Sequence, residues 1–219
     1  MRIHLLQAAP FMRLFLIRHG ETAWNAERRT QGRSDIELND VGLRQAGALA
    51  STLRQEKVAA VYASPLKRAV VTAQLIADAH GLAVVTHPGL QELDQGELEG
   101  MQPQEMRQKY PEVLRRWGTG DTTLKLPGGE SMAELQERMW TGLQEVRALY
   151  RQDTVVVVSH NLAILAFTCK ALGLPLSAFR RLRLQTGSLN VFEMDEQKGV
   201  LLRFNETCHF DGRNSARAT

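Results

Sequence analysis

The sequence predicts an α/β protein, a three-layer α/β/α sandwich built around a mostly parallel central sheet. Three observations lead there. Short apolar runs alternate with segments whose apolar residues recur every three or four positions, the pattern of strands feeding helices. One run, Thr154-Val155-Val156-Val157-Val158, is apolar almost throughout, as a central parallel strand covered on both faces is. The 219 residues, 43% hydrophobic and 23% charged, have ordinary globular composition and enough apolar material for one sizeable core.

Taken in order, Arg13 to Ile17 reads as a first strand that ends in Arg18-His19-Gly20. Asn39 or Asp40 caps a helix whose expected apolar face is Leu43, Ala46, Ala50 and Leu53. Val58 to Ala63 is a second strand. Ser64-Pro65 opens a helix through Leu66, Ala69, Ala73 and Ile76 that stops at Gly81, and Leu82 to Thr86 is a third strand. Residues 88–130, rich in Gly, Pro and charge, are expected to form loops and short helices over one end of the sheet. Ser131-Met132-Ala133-Glu134 is a capping box, opening a helix with Met132, Leu135, Met139, Leu143, Val146 and Leu149 on one face. After the valine strand, a helix from about Leu162 to Leu172 is closed by Gly173 and Pro175. Leu189 to Met194 and Val200 to Phe204 read as a hairpin on the sheet edge.

Composition narrows the function. The 27 basic and 24 acidic residues leave a net charge of +3 with no long Lys/Arg run, and only 6% of residues are aromatic, so nucleic-acid binding has no footprint. Cys169 and Cys208 form no disulfide framework and no Cys-x-x-Cys pair. The longest apolar helical segment, Leu162 to Leu176, is broken by Lys170, so no membrane partner is expected. Residues 1–11 are too weakly apolar for a signal peptide, and a cytoplasmic location follows as the expectation.

In α/β sheets, ligands bind beyond the carboxyl ends of the strands. Two strands here end in histidine, at Arg18-His19 and Ser159-His160, and a third ends at Ser64-Pro65 just before Arg68. Arg18, His19, Arg68 and His160 are therefore expected at one rim. Two guanidinium forks and two imidazoles suit a phosphate dianion. A neutral histidine with a free lone pair is a nucleophile, provided its other ring nitrogen is fixed by an acceptor such as a backbone carbonyl. Gly20 permits the close backbone approach such a turn needs. Taken singly, each motif also fits an ordinary turn, rim histidine or solvated first-turn arginine. Their joint placement at strand ends favours the functional reading. No Gly-x-x-x-x-Gly-Lys loop, Asp-x-Asp pair or Cys-x5-Arg signature is present.

Arg18-His19-Gly20-Glu21-Thr22-x-Trp24-Asn25, Gln31-Gly32, Leu38-Asn39-x-x-Gly42, Ser64-Pro65-Leu66-x-Arg68-Ala69, Leu90-x-Glu92, Gly96-x-x-Glu99-Gly100, Gly128-Gly129-Glu130-Ser131 and Val158-Ser159-His160 occur in order. Together they resemble the histidine phosphatase (phosphoglycerate mutase-like) superfamily, from about residue 13 to 195. The resemblance implies that His19 is the nucleophile, forming a phosphohistidine, and that Arg18, Arg68 and His160 make the phosphate pocket. Asn25 would be an additional donor, with Gln31 and Gly32 near the substrate. It implies that Glu92 is the proton donor to the leaving oxygen, its neutral form favoured by the adjacent phosphate charge. No metal and no cofactor are implied, since two arginines and a protonated histidine would spread the charge that Mg²⁺ spreads elsewhere.

Three features depart from the family's usual pattern. Leu98 stands where an aromatic is common, Asn161 follows His160 where Gly is common, and the segment after Gly100 lacks the longer insertion of a cofactor-dependent mutase. The expected function is thus a metal-independent phosphatase of the histidine acid type acting on a small phosphorylated metabolite. The alternatives are a cofactor-dependent phosphoglycerate mutase, a phosphohistidine protein phosphatase, and a non-catalytic module that binds a phospho-ligand. Arg115 and Arg116 read either as sensors of a substrate carboxylate or as exposed helix residues. The expected organisation is an extension over 1–12, one domain over 13–210 with 88–130 as its covering and specificity segment, and a disordered tail over 211–219. The edge hairpin offers a surface for a homodimer.

Overall fold

A computed structural model of the chain describes residues 11–211. Six strands make one sheet: β1 (Met12–Arg18), β2 (Val58–Ala63), β3 (Val84–Thr86), β4 (Thr154–Ser159), β5 (Leu189–Met194) and β6 (Gly199–Glu206), in the order β3-β2-β4-β1-β5-β6. The first four run parallel, and β5 and β6 form the expected antiparallel hairpin at one edge. The helices are α1 (Ala23–Ala26), α2 (Asp40–Leu53), α3 (Lys67–His80), α4 (Pro103–Lys109), α5 (Pro111–Gly118), α6 (Met132–Leu149) and α7 (Asn161–Ala171).

The two-residue repeat of each strand sorts the helices into layers. Phe15, Ile17, Val61, Val156 and Val158 pack with Leu49, Ala73 and Ile76 of α2 and α3. Leu14, Leu16, Tyr62, Val155 and Val157 pack on the other face with Leu135, Met139 and Phe167 of α6 and α7. The sandwich is therefore three layers deep. The valines of β4 are fully buried, since the strand lies between β2 and β1 with helices above and below.

Register is what positions the site. Ile17 of β1 and Ala63 of β2 both pair with Val158, so three strands finish at one level. Beyond that level, the His19 N–H donates to the Ser159 carbonyl and the Ser64 N–H to the Val158 carbonyl. The residues after each strand are thereby tied together before any side chain is considered.

Several details differ from the sequence reading. Leu43 and Leu149 are 44% and 71% exposed. A residue turns about 100° around a helix. The buried face of α2 is Gly42, Ala46, Leu49 and Leu53, from which Leu43 is rotated away, and Leu149 stands about 80° off the apolar face of α6. Strand β3 begins at Val84 rather than Leu82, because the Leu82 N–H bonds back to the Ala77 carbonyl across Gly81 and closes α3. Met12 belongs to β1 rather than to an extension, and Asp211 ends a short 3₁₀ turn over Cys208–Asp211. The remainder of the expected extension, residues 1–10, and of the expected tail, residues 212–219, lies outside the described residues.

Gly42 is buried on α2 because the turn after β1 crosses it in backbone contact: a Cβ there would collide with the Glu21 carbonyl. Gly20 meets the Gly42 carbonyl from the other side in the same way. Gly42→Ala should cost about 1–3 kcal/mol through overpacking and lower Tm by roughly 3–10 °C. An unchanged melting curve would contradict the close approach.

Candidate active site

The strand ends deliver Arg18, His19, Arg68 and His160 to one place. His19 is 3% exposed, and Arg68 and His160 are fully buried. Arg18, His19, Asn25, Gln31, Gly32, Arg68, Glu92 and Asn161 all line a cavity of about 340 Å³. His160 does not line it. It packs behind His19, with ring centroids 5.0 Å apart and planes tilted by 59°.

Nδ1 of His19 lies 2.7 Å from the Gly20 carbonyl. A carbonyl only accepts, so Nδ1 carries the proton and Nε2 keeps its lone pair. Burial, together with the charges of Arg68 and Arg18, drives the His19 pKa well below 6.5. The ring is thus neutral, in one tautomer, with one nitrogen open. His160 is lowered for similar reasons: burial, then the fields of Arg68, His19, Arg18 and Arg138. Neither of its ring nitrogens has a hydrogen-bond partner among the described residues.

The guanidiniums are held by backbone carbonyls rather than by acids. Arg18 donates through Nη1 to the Leu184 carbonyl at 2.6 Å and reaches Asn161 Oδ1 at 3.5 Å. Arg68 donates through Nη1 to Ser34 at 2.6 Å and through Nη2 to Gly32 at 2.7 Å, both carbonyls. Burial lowers both pKa values to about 10, so both stay charged at neutral pH. Arg68 is not the solvated first-turn residue that its position taken singly also fits, because the loop over 31–35 folds across the start of α3. Glu99 ties that loop down, accepting from the Arg33 N–H at 2.7 Å and the Ser34 hydroxyl at 2.6 Å. Gly32 holds φ of +52° there, and a Cβ would strike the Glu99 carboxylate.

Glu92 is the one carboxylate lining the cavity among the described residues, and it is 6% exposed. Its Oε1 accepts from the Leu93 and Ala163 N–H groups at 2.9 and 3.1 Å, and its Oε2 from Leu162 at 3.1 Å. Two of these donors are first-turn N–H groups of α7, whose own N-cap residue, His160, makes no side-chain cap. Glu92 therefore caps α7 from another segment. Asn25 receives the Thr22 N–H on Oδ1 at 3.1 Å, which leaves its amide nitrogen available to a ligand. Gln31 accepts from the Thr22 hydroxyl at 3.0 Å.

Two supporting residues were not singled out from sequence. Thr72 accepts from the Gly20 N–H at 3.1 Å and donates to the Arg68 carbonyl at 2.7 Å, linking the histidine turn to α3. Its spacing of four from Arg68 was the available signal. Arg138 donates to the carbonyls of Gly89, Gln91 and Glu92 at 2.9–3.1 Å, and Glu130 grips its guanidinium at 2.8 and 3.0 Å. That pair holds the segment carrying Glu92. Nothing in the sequence marks Arg138, whose acid partner Glu130 lies before α6 begins. Arg115 and Arg116 pair with Glu112 and Asp121 on the outer surface and do not reach the cavity. Among the described residues, no cluster of three His, Cys, Asp or Glu side chains is arranged to hold a metal ion, and no helix is long and apolar enough to cross a membrane.

Comparison with known proteins extends these observations. A family model for the histidine phosphatase superfamily (branch 1) matches residues 14–207. Phosphoserine phosphatase 1 of Hydrogenobacter thermophilus is 40% identical over 198 residues, covering 90% of this chain and 94% of that protein. A probable phosphoglycerate mutase GpmB of Yersinia pestis is 37% identical over 205 residues, covering 91% and 95%. Among solved structures, YhfR of Bacillus stearothermophilus superposes with a TM-score of 0.86 at 26% identity, over 90% of this chain and 98% of that one. A mutant phosphoserine phosphatase of Entamoeba histolytica in complex with phosphoserine gives 0.82 at 29% identity, over 90% and 98%.

Ring-nitrogen NMR should find His19 neutral at pH 6.5 as the Nδ1–H tautomer, and His160 neutral as well. Because the unfolded rings take up protons near pH 6.5 while the buried ones do not, stability should fall as pH drops below 6.5. A doubly protonated His19 at that pH, or an Nε2–H tautomer, would contradict the geometry.

Proposed function

The chain belongs to the histidine phosphatase superfamily, and from that premise we propose that it hydrolyses a small phosphomonoester through a phosphohistidine at His19. One observation carries the reading. A neutral imidazole, locked with Nε2 open, stands in a cavity with two arginines that are held by backbone carbonyls and hydrogen-bonded to no carboxylate.

The reaction divides into two displacements. In the first, Nε2 of His19 forms a bond to phosphorus as the bond to the ester oxygen breaks. Nδ1–H, already on the Gly20 carbonyl, stabilises the positive charge that develops on the ring. Arg18 and Arg68 hold the phosphoryl oxygens with the N–H groups their carbonyl partners leave over, and the Asn25 amide adds a donor. Burial is the first cause that keeps His160 neutral; a dianion in the cavity offsets the arginine fields that add to it and so favours the protonated, donating ring. Glu92 gives a proton to the departing oxygen. Oε1 already accepts two N–H bonds and Oε2 one, so Oε2 is the atom with room for that proton. In the second displacement, water loses a proton to Glu92 and attacks phosphorus, the Nε2–P bond breaks, and phosphate leaves.

His19→Ala should lower turnover at least 10³-fold while the melting curve stays within a few degrees. Glu92→Gln should lower kcat at least tenfold more on ethyl phosphate than on nitrophenyl phosphate, whose leaving group needs little protonation. Since Glu92 also caps α7, its melting curve is recorded alongside, and activities are compared below the transition. Equal losses on both esters would remove Glu92 from the proton-donor role. Conversion of 3-phosphoglycerate to 2-phosphoglycerate without phosphate release would overturn hydrolysis in favour of transfer.

A further inference from the structure

We propose that the alcohol released by this phosphatase is an apolar group about the size of a hexyl or benzyl chain, with no charge at its far end. This deepens the phosphatase reading and rests on it.

The cavity has two unlike halves. Arg18, His19, Arg68 and Glu92 make its charged part, and Leu98, Met106, Val113, Leu114, Trp117 and Leu126 make its apolar part, with Arg29, Thr30 and Gln95 also lining it. Helix α5 makes much of the apolar wall. Its Val113, Leu114 and Trp117 fall on one side at helical spacing, and its charged residues Glu112, Arg115 and Arg116 fall on the other. Trp117 is held in place by an edge-to-face contact with Phe179, centroids 5.7 Å apart, and by Arg180 donating to its carbonyl at 2.8 Å. Trp117 is thus anchored on two sides.

A charged leaving group finds one cation there, and that cation is already engaged on two of its nitrogens. Among the described residues, Arg29 is the single lining cation outside the phosphate end. Its Nε pairs with Glu27 at 2.6 Å and its Nη1 donates to the Gly100 carbonyl at 3.0 Å. The two arginines that could have read a carboxylate, Arg115 and Arg116, are paired outside. An ammonium would need the Glu92 carboxylate, whose remaining acceptor site, on Oε2, is the one that serves the departing oxygen. Burying an unpartnered charge against leucine and tryptophan is costly, whereas each methylene laid on that wall is favourable. A cavity of about 340 Å³ also exceeds what a glyceryl or seryl phosphate fills, and falls within the range of sites for larger ligands.

The test uses the full-length enzyme and phosphate release from esters with matched leaving oxygens: ethyl, butyl and hexyl phosphate, 6-phosphooxyhexanoate, phosphoserine and 3-phosphoglycerate. The expected result is a rise in kcat/KM of about two- to fourfold per methylene. A fall of at least tenfold is expected when the hexyl chain ends in carboxylate, with phosphoserine and 3-phosphoglycerate below hexyl phosphate. Leu114→Ala and Trp117→Ala should each lower the hexyl-to-ethyl ratio at least threefold, Leu114→Ala serving if the tryptophan variant folds poorly. A flat or falling series, or preference for phosphoserine or 3-phosphoglycerate, overturns the inference while leaving a phosphatase in place. Absence of phosphate release from every ester, with no phosphate on His19, overturns the phosphatase reading and this inference with it.

Discussion

A single hydrogen bond, 2.7 Å from Nδ1 of His19 to the carbonyl of the next residue, decides what this site can do. It selects the tautomer and aims the ring. It also leaves the other nitrogen as a base that burial and two neighbouring guanidiniums keep unprotonated. The bond exists because the turn after β1 is pressed between two elements. The Gly20 N–H donates to Thr72 on α3, and the Gly20 and Glu21 backbones rest on Gly42 of α2 without space for a Cβ on either glycine. A helix face, a strand end and two missing side chains together fix one imidazole.

The cations around it are placed by a similar economy. Neither Arg18 nor Arg68 has a carboxylate hydrogen-bonded to it, so their charge remains available to an incoming anion. Acids do take part, but one step removed. Glu99 holds the loop whose carbonyls hold Arg68, and Glu130 with Arg138 holds the segment that carries Glu92. A cleft with an excess of positive charge and low-dielectric walls concentrates field on a phosphate. Glu92 serves two ends, since its oxygens also cap α7, and its position is consequently as firm as the helix itself.

Much of this was legible in the chain. The valine run of β4 announced a strand covered on both faces, and the residues at the ends of β1 and β4 announced a rim of arginine and histidine. The backbone acceptor for the nucleophile's second ring nitrogen was also expected, because a histidine before a glycine in a tight turn has few other partners. What was not legible depends on long-range contact. Arg68 was expected at the rim, but its burial was not, because the loop that covers it lies over 30 residues earlier. Arg138 gave no local sign, since its acceptors are carbonyls from a distant segment. The faces of α2 and α6 were misjudged at Leu43 and Leu149 because apolar spacing tolerates a rotation that packing does not. Leu98 stands where an aromatic is common, but the apolar wall it joins emerges only when α4 and α5 bring Met106, Val113, Leu114 and Trp117 to the same cavity.

The central claim is that Nε2 of His19 attacks phosphorus. Rapid acid-free quenching of the enzyme during turnover, followed by phosphorus NMR of the denatured chain, tests it most directly. The account predicts a phosphoramidate resonance, stable in alkali and lost in acid, with phosphorus bonded to Nε2 of His19. No covalent phosphate at any time during turnover, or phosphorus on Nδ1 or on another residue, would contradict it.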